Sequence, residues 1–196
     1  MEYDQSGSRF VIGISGASGV VYGIRILEIL KSMSIETHVI LSTWGLKNIE
    51  IETGKTVEYV SSLSTKLYSN DSLAAPMSSG SFIHAGMIIV PCSMKTLASI
   101  ANGHDDTLIS RAAGVTLKES RRLVVVPRET PISRIHLINM LNLCDAGAII
   151  LPAMPGFYRN PVSLKDIIDQ LVGKILDQFY IKHNLTRRWG DGKNIY

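Results

Sequence analysis

The chain has 196 residues, 45% of them hydrophobic and 19% charged, with a formal net charge of +3. That length suits a single domain with a substantial core, and polar tails at 1–8 and 184–196. So small a charge, without a long basic run, gives no footprint for nucleic acid, and no apolar run approaches membrane-spanning length.

Phe10-Val11-Ile12-Gly13-Ile14 opens as an apolar, β-branched strand and breaks into Ser15-Gly16-Ala17-Ser18-Gly19. It resumes as a helix from Val20 to Met33, with Ile24, Leu27 and Leu30 at helical spacing. Strand, small-residue turn and helix is the layout that aims backbone N–H groups at a phosphate. The glycines fall at 13, 16, 19 and 23, so the strict G-x-G-x-x-G spacing is absent. The second strand, Thr37 to Leu41, ends in Ser42, where a dinucleotide fold places a ribose-binding acid. Hydroxyls in place of a carboxylate point to a phosphate monoester such as that of FMN. A tight turn whose glycines serve only packing is the alternative.

A helix follows from Thr43 to Glu52, and Gly54 to Phe82 is the least regular part, Ser-rich and predicted as a long loop of functional or oligomeric use. Met87 to Pro91 is a third strand, Lys95 to Ala101 a helix, and Asp106 a candidate cap for a helix over Thr107–Ser120. Leu123 to Val126 is a buried strand ending at Pro127; Ile135 to Leu143 is helical; Gly147 to Leu151 is the last strand. Ser163 with Asp166 starts a long amphipathic helix through Ile167, Leu171, Ile175 and Phe179. Continuous apolar strands alternating with helices predict an α/β fold, a parallel sheet covered on both faces, with ligands at the carboxyl ends of its strands.

Those ends gather hydroxyls, cations, an acid and an aromatic. Arg128-Glu129 follows a buried strand: the Arg suits a bidentate phosphate contact, and a Glu in a partly apolar pocket suits proton transfer, while a plain ion pair or a helix cap is the bland alternative. Ser93 and Thr96 flank a helix start and either bind an anion or simply cap. Arg111 and Lys118, seven apart on one helix, either share a second phosphate or stand solvated. Tyr158 lies in a loop stiffened by Pro155 and Pro161 that places its phenol over a ligand or leaves it on the surface. The five histidines show no ligand spacing, so no metal site is predicted. Cys92 and Cys144 form no C-x-x-C, and with a polar, acid-bearing Met1–Ser8 they predict reduced thiols and a cytoplasmic protein.

Taken in order, Gly13-Ile14-Ser15-Gly16-Ala17-Ser18-Gly19, Pro91-Cys92-Ser93-Met94-Lys95-Thr96-Leu97, Arg111-Ala112-Ala113, Leu117-Lys118-Glu119, Pro127-Arg128-Glu129-Thr130-Pro131, His136-Leu137-Ile138-Asn139-Met140 and Pro155-Gly156-Phe157-Tyr158 resemble the UbiX-like flavin prenyltransferases. The resemblance runs from Arg9 to Trp189. It implies a three-layer Rossmann-like (flavodoxin-like) fold, a homododecamer with sites at subunit contacts, and metal-free transfer of a dimethylallyl group from dimethylallyl monophosphate to N5 and C6 of reduced FMN. The prenylated FMN serves UbiD-like decarboxylases.

By the same resemblance, Gly16, Ala17, Ser18, Ser42, Ser93, Met94, Lys95, Thr96 and Arg128 bind FMN. Arg111, Lys118, Tyr158 and Lys174 hold the prenyl phosphate, Glu129 relays protons to it, and Glu52 and Trp189 occupy further active-site positions. Lys174 stands where many relatives have Arg, a point charge in place of a planar fork. Two rival readings are an FMN-dependent decarboxylase of the phosphopantothenoylcysteine or lantibiotic-peptide type and a non-catalytic FMN carrier. The decarboxylases' P-x-M-N-x-x-M-type motif is missing here, and a carrier has no use for Lys118, Glu129, Tyr158 and Lys174.

Overall fold

The computed structural model describes residues 9–158 and 160–186. Six strands form one all-parallel sheet: β1 (Arg9–Ile14), β2 (Glu36–Leu41), β3 (Lys66–Ser69), β4 (Gly86–Cys92), β5 (Arg122–Pro127) and β6 (Ile149–Ile150), in the order β3-β2-β1-β4-β5-β6. The order reverses between β1 and β4, and a doubly wound sheet opens its ligand crevice at that switch point. Helices α1 (Val20–Ser32), α2 (Thr43–Thr53), α3 (Val57–Leu63), α4 (Met94–Ala101), α5 (Leu108–Lys118), α6 (Arg134–Asp145) and α7 (Leu164–Asp177) fill the connections.

Alternation along the strands builds two cores. Ile12, Ile14, Ile88, Val90, Val124 and Val126 face α1 and α7, while Val11, Met87, Ile89, Leu123 and Val125 face α4 and α5. These strand side chains are buried on both faces, which is why the strands read as unbroken apolar runs. Each contributes about 1.5–3 kcal/mol of burial.

The stretch 54–82 departs from the predicted loop. It holds α3, capped by the Thr56 hydroxyl, the edge strand β3 and a single 3₁₀ turn at Pro76–Ser78. β3 pairs in register with His38 to Leu41 but carries half-exposed polar residues, so it gave no alternating signal. The cap of α5 is Thr107, not Asp106: the Thr107 hydroxyl accepts from Ser110 N–H while the Ser110 hydroxyl accepts from Thr107 N–H. That reciprocal box satisfies two donors that Asp106, one residue earlier, is out of phase to reach. β6 is only two residues long, shorter than the predicted Gly147 to Leu151.

Candidate active site at the carboxyl edge of the sheet

Ser15 ties the switch point together. Its hydroxyl donates to Pro91 O (3.0 Å) and accepts from Ser93 N–H (2.7 Å), joining the ends of β1 and β4. The residue is fully buried. It stood in the glycine-rich motif without a role of its own, since a serine there is indistinguishable from its small neighbours by residue type.

Beyond Ser15 the loop Gly16–Gly19 is gripped by one face of α2. Trp44, Asn48 and Glu52 recur every four residues, so they stack on one side of that helix. Trp44 packs against one side of Gly16 so closely that a Cβ on Gly16 would lie 2.5 Å from Trp44 Cβ. Asn48 Nδ2 donates to Ala17 O (3.2 Å). The Glu52 carboxylate accepts from Gly19 N–H (2.8 Å) and Val20 N–H (3.1 Å). Gly19, at φ 103°, occupies the N-cap position of α1 and has no side chain to cap it, so Glu52 supplies that cap from a neighbouring helix.

The leading donors of α1, Gly19 N–H and Val20 N–H, thus face a carboxylate of this chain. What stays open is the loop itself, where Gly16 and Ser18 are exposed. Trp44 and Asn48 were missed from the sequence; their four-residue spacing with Glu52 was the available signal.

The hydroxyls at the other strand ends cap helices. Ser42 accepts from Gly45 N–H (3.0 Å) at the start of α2. Ser93 accepts from Thr96 N–H (3.3 Å) and donates to Thr96 Oγ1 (3.1 Å) at the start of α4. With the Ser93 proton so committed, the Thr96 hydroxyl keeps its own proton to donate elsewhere. Met94 and Lys95 open α4, Met94 half-buried and Lys95 exposed.

Arg128 and Glu129 stand exposed just past β5. Burial raises the Tyr22 phenol on α1 above its ordinary range and the Arg128 charge opposes that rise, so Arg128 reaches back toward the start of α1. Glu129 Oε1 accepts from Thr130 N–H (3.0 Å). The Cys92 thiol, fully buried at the end of β4, is pushed far up by burial, which suits packing and not nucleophilic attack.

The predicted phosphate cations are not gathered within one chain. Arg111 donates to Ser78 O (3.2 Å) and to Asp105 Oδ2 (3.1 Å). α5 runs against the strands, so Lys118 at its far end lies near the start of β5, at the amino edge of the sheet. There Lys118 Nζ bonds Glu119 Oε1 (2.8 Å) and, through that bond, holds the Glu119 carboxyl below its usual range. Seven residues separate Arg111 from Lys118, about 10 Å along the helix axis, and within one chain each cation is bonded to its own acid.

Tyr158 is exposed in the loop between β6 and α7, and Lys174 is exposed on α7. Trp189 lies outside the described residues. Among the described residues, no group of three or more His, Cys, Asp or Glu side chains could hold a metal ion. Nor, among them, is any helix long and apolar enough to cross a membrane.

The donor set fits FMN: an uncovered glycine–serine loop, a Thr96 hydroxyl with a free proton and an Arg all lie along one sheet edge. Comparison with known proteins points the same way. A family model described as Flavoprotein matches residues 1–189. The chain is 52% identical over 181 residues to the flavin prenyltransferase PAD1, mitochondrial, of Saccharomyces cerevisiae, covering 92% of this chain and 75% of that protein. It is 47% identical over 182 residues to the flavin prenyltransferase LpdB of Lactiplantibacillus plantarum, covering 92% and 97%.

Among solved structures, AnUbiX (PadA1) in complex with FMN and dimethylallyl pyrophosphate superposes with a TM-score of 0.93 at 46% identity, covering 95% of this chain and all of that one (100%). A dodecameric FMN-dependent UbiX-like decarboxylase from Escherichia coli O157:H7 follows at 0.90 and 45%, covering 92% and 98%. The cypemycin decarboxylase CypD, at 0.63 and 15% identity over 76% of this chain and 84% of that one, shares the fold alone.

Proposed function

Since the chain belongs to the UbiX-like flavin prenyltransferases, we propose that it joins the dimethylallyl group of dimethylallyl monophosphate to N5 and C6 of reduced FMN, for delivery to a UbiD-like decarboxylase. The observation that carries this reading is the concentration of Gly16–Ser18, Ser93–Thr96 and Arg128–Glu129 along the carboxyl edge. When bound, reduced FMN supplies the electron-rich ring that accepts the prenyl carbons.

The chain's own residues do the rest. The N–H groups of Ala17 and Ser18, with the hydroxyls of Ser18, Ser42 and Thr96, hold the flavin's phosphate and orient it; Gly16 and Met94 leave room beside it, and Lys95 and Arg128 offset its charge. Breaking the allylic C–O bond leaves the electron pair on the departing phosphate. Arg111, Lys118, Tyr158 and Lys174 stabilise that charge as it develops, and Glu129 hands a proton to the phosphate oxygen. Glu52 acts by fixing the loop from its cap of α1, and Trp189 belongs to the same site by the family resemblance.

The far-edge position of Lys118 supports assembly into a homododecamer, in which Lys118 of a neighbouring copy reaches the Glu129 site. The exposed apolar face of α6, carrying Ile135, Leu137, Ile138 and Leu141, supports the same assembly. Two unpaired cysteines support a reducing, cytoplasmic setting.

The test is anaerobic incubation of the protein with reduced FMN and dimethylallyl monophosphate, then mass spectrometry of the released flavin. A flavin heavier by one five-carbon unit is expected. Unmodified FMN from a protein that binds it would overturn the reading in favour of a carrier or a decarboxylase.

A further inference from the structure

The Tyr158 loop connects β6 to α7, and its two ends are fastened by hydrogen bonds from backbone N–H groups. Ala153 N–H donates to Pro127 O (3.2 Å), and the N–H groups of Val162 and Ser163 both donate to Asp166 Oδ2 (3.0 Å each). Its middle is fastened as well. Gly156 N–H donates to the side-chain Oε1 of Gln170 on α7 (2.8 Å). The same amide and the Tyr158 ring converge on the Gly156 α-carbon: a Cβ there would lie 2.7 Å from Gln170 Nε2 and 2.9 Å from Tyr158 Cε1. Gly156 is thus a seat with no room for a methyl, with the amide and the phenol ring both resting against it.

Gln170 and Lys174 are four residues apart on α7 and so share a face of that helix. The residue that fastens the loop therefore stands one turn from the cation assigned to the prenyl phosphate. We propose that Gln170 is a positioning residue for prenyl transfer: through Gly156 it sets where the Tyr158 phenol stands relative to Lys174, and so the geometry of the prenyl-phosphate subsite. This rests on the prenyl-transfer reading above. A phenol released from its seat loses the alignment on which stabilisation of the leaving phosphate depends.

The experiment compares the full-length wild type, Gln170→Met, Tyr158→Phe and the double variant in anaerobic FMN prenylation, varying dimethylallyl monophosphate, with FMN affinity titrated separately. Gln170→Met keeps the chain length and deletes the acceptor. It is expected to raise KM for dimethylallyl monophosphate about tenfold while leaving FMN affinity unchanged. In the Tyr158→Phe background the same change adds less than about twofold, because both act through one phenol.

Gly156→Ala, whose Cβ crowds the Gln170 amide and the Tyr158 ring out of the same seat, gives the same rise in KM. An unchanged KM in Gln170→Met and Gly156→Ala, or a full tenfold penalty retained in the Tyr158→Phe background, would overturn the proposal. A wild type that makes no prenylated flavin would overturn the underlying reading instead.

Discussion

The two halves of the site are built in opposite ways. The flavin half is closed by short bonds within one chain: Ser15 joins β1 to β4, Asn48 and Glu52 hold the Gly16–Gly19 loop, and Ser42 and Ser93 cap their helices. The prenyl-phosphate half is dispersed, with Lys118 bonded to Glu119 at the far edge, Arg111 bonded to Asp105, and Tyr158 on an exposed loop. On the proposed roles, a site whose flavin-side residues lie together in one chain and whose phosphate-side residues are dispersed would bind cofactor before it is competent for chemistry. Assembly would then be the step that completes the site for catalysis.

The largest effect that tests this division is Glu129→Gln. It should lower the prenylation rate about 100- to 1000-fold, since a positioned proton donor is worth that much, while FMN binds as before; equal turnover would remove Glu129 from the chemistry. Lys118→Ala should cost about 100-fold. Mixed and reassembled with Glu129→Gln, however, it should recover activity at roughly a quarter of the sites, those that draw each intact residue from a different chain. No recovery would mean that both residues serve one chain's site. On the flavin side, Ser18→Ala should weaken FMN binding about tenfold by titration, the worth of one hydrogen bond to a charged group, with the same loss whether the protein is assembled or dilute.

His84 gives a control at the amino edge, remote from the flavin half. It is buried, and burial pushes its pKa from 6.5 down to about 4. Between those values the unfolded chain binds the proton and the folded one does not. The stability His84 contributes is therefore present above pH 6.5 and lost as pH falls through 4, by about 3 kcal/mol at most. Denaturant midpoints across that window should fall less steeply in His84→Gln, with flavin binding at neutral pH unaltered. Smallest of all, Lys174→Arg should shift KM for the prenyl phosphate by less than about threefold, exchanging a point charge for a fork. A larger change would show that the subsite is shaped around lysine.

How much of this was legible in the sequence follows the same line. Val39, Ile88 and Val124 are buried on a two-faced sheet, and such strands announce themselves as apolar runs. The motifs at their ends were visible because the topology forces ligands there. β3 was hidden because Lys66 and Ser69 sit on an edge, where burial does not dictate residue type. The grip of α2 was hidden because Trp44, Asn48 and Glu52 differ in kind and share only a spacing. The separate partners of Arg111 and Lys118, Asp105 and Glu119, were hidden because an i, i+7 relation fixes a common helix face but not which end of the sheet each residue reaches.

That spacing turns α2 into a ruler laid along the loop, graduated at one helical pitch of about 5.4 Å. A ruler tolerates repainting but not recutting. Replacing a residue on its outer side, such as the exposed Ile51, leaves the graduations where they are. Inserting or deleting a single residue between Trp44 and Glu52 turns every later mark about 100° around the axis, and the carboxylate that closes α1 swings away from it. The length of α2 is therefore under tighter constraint than its composition, and variation in this part of the molecule is expected as substitutions, never as a change in the count of residues.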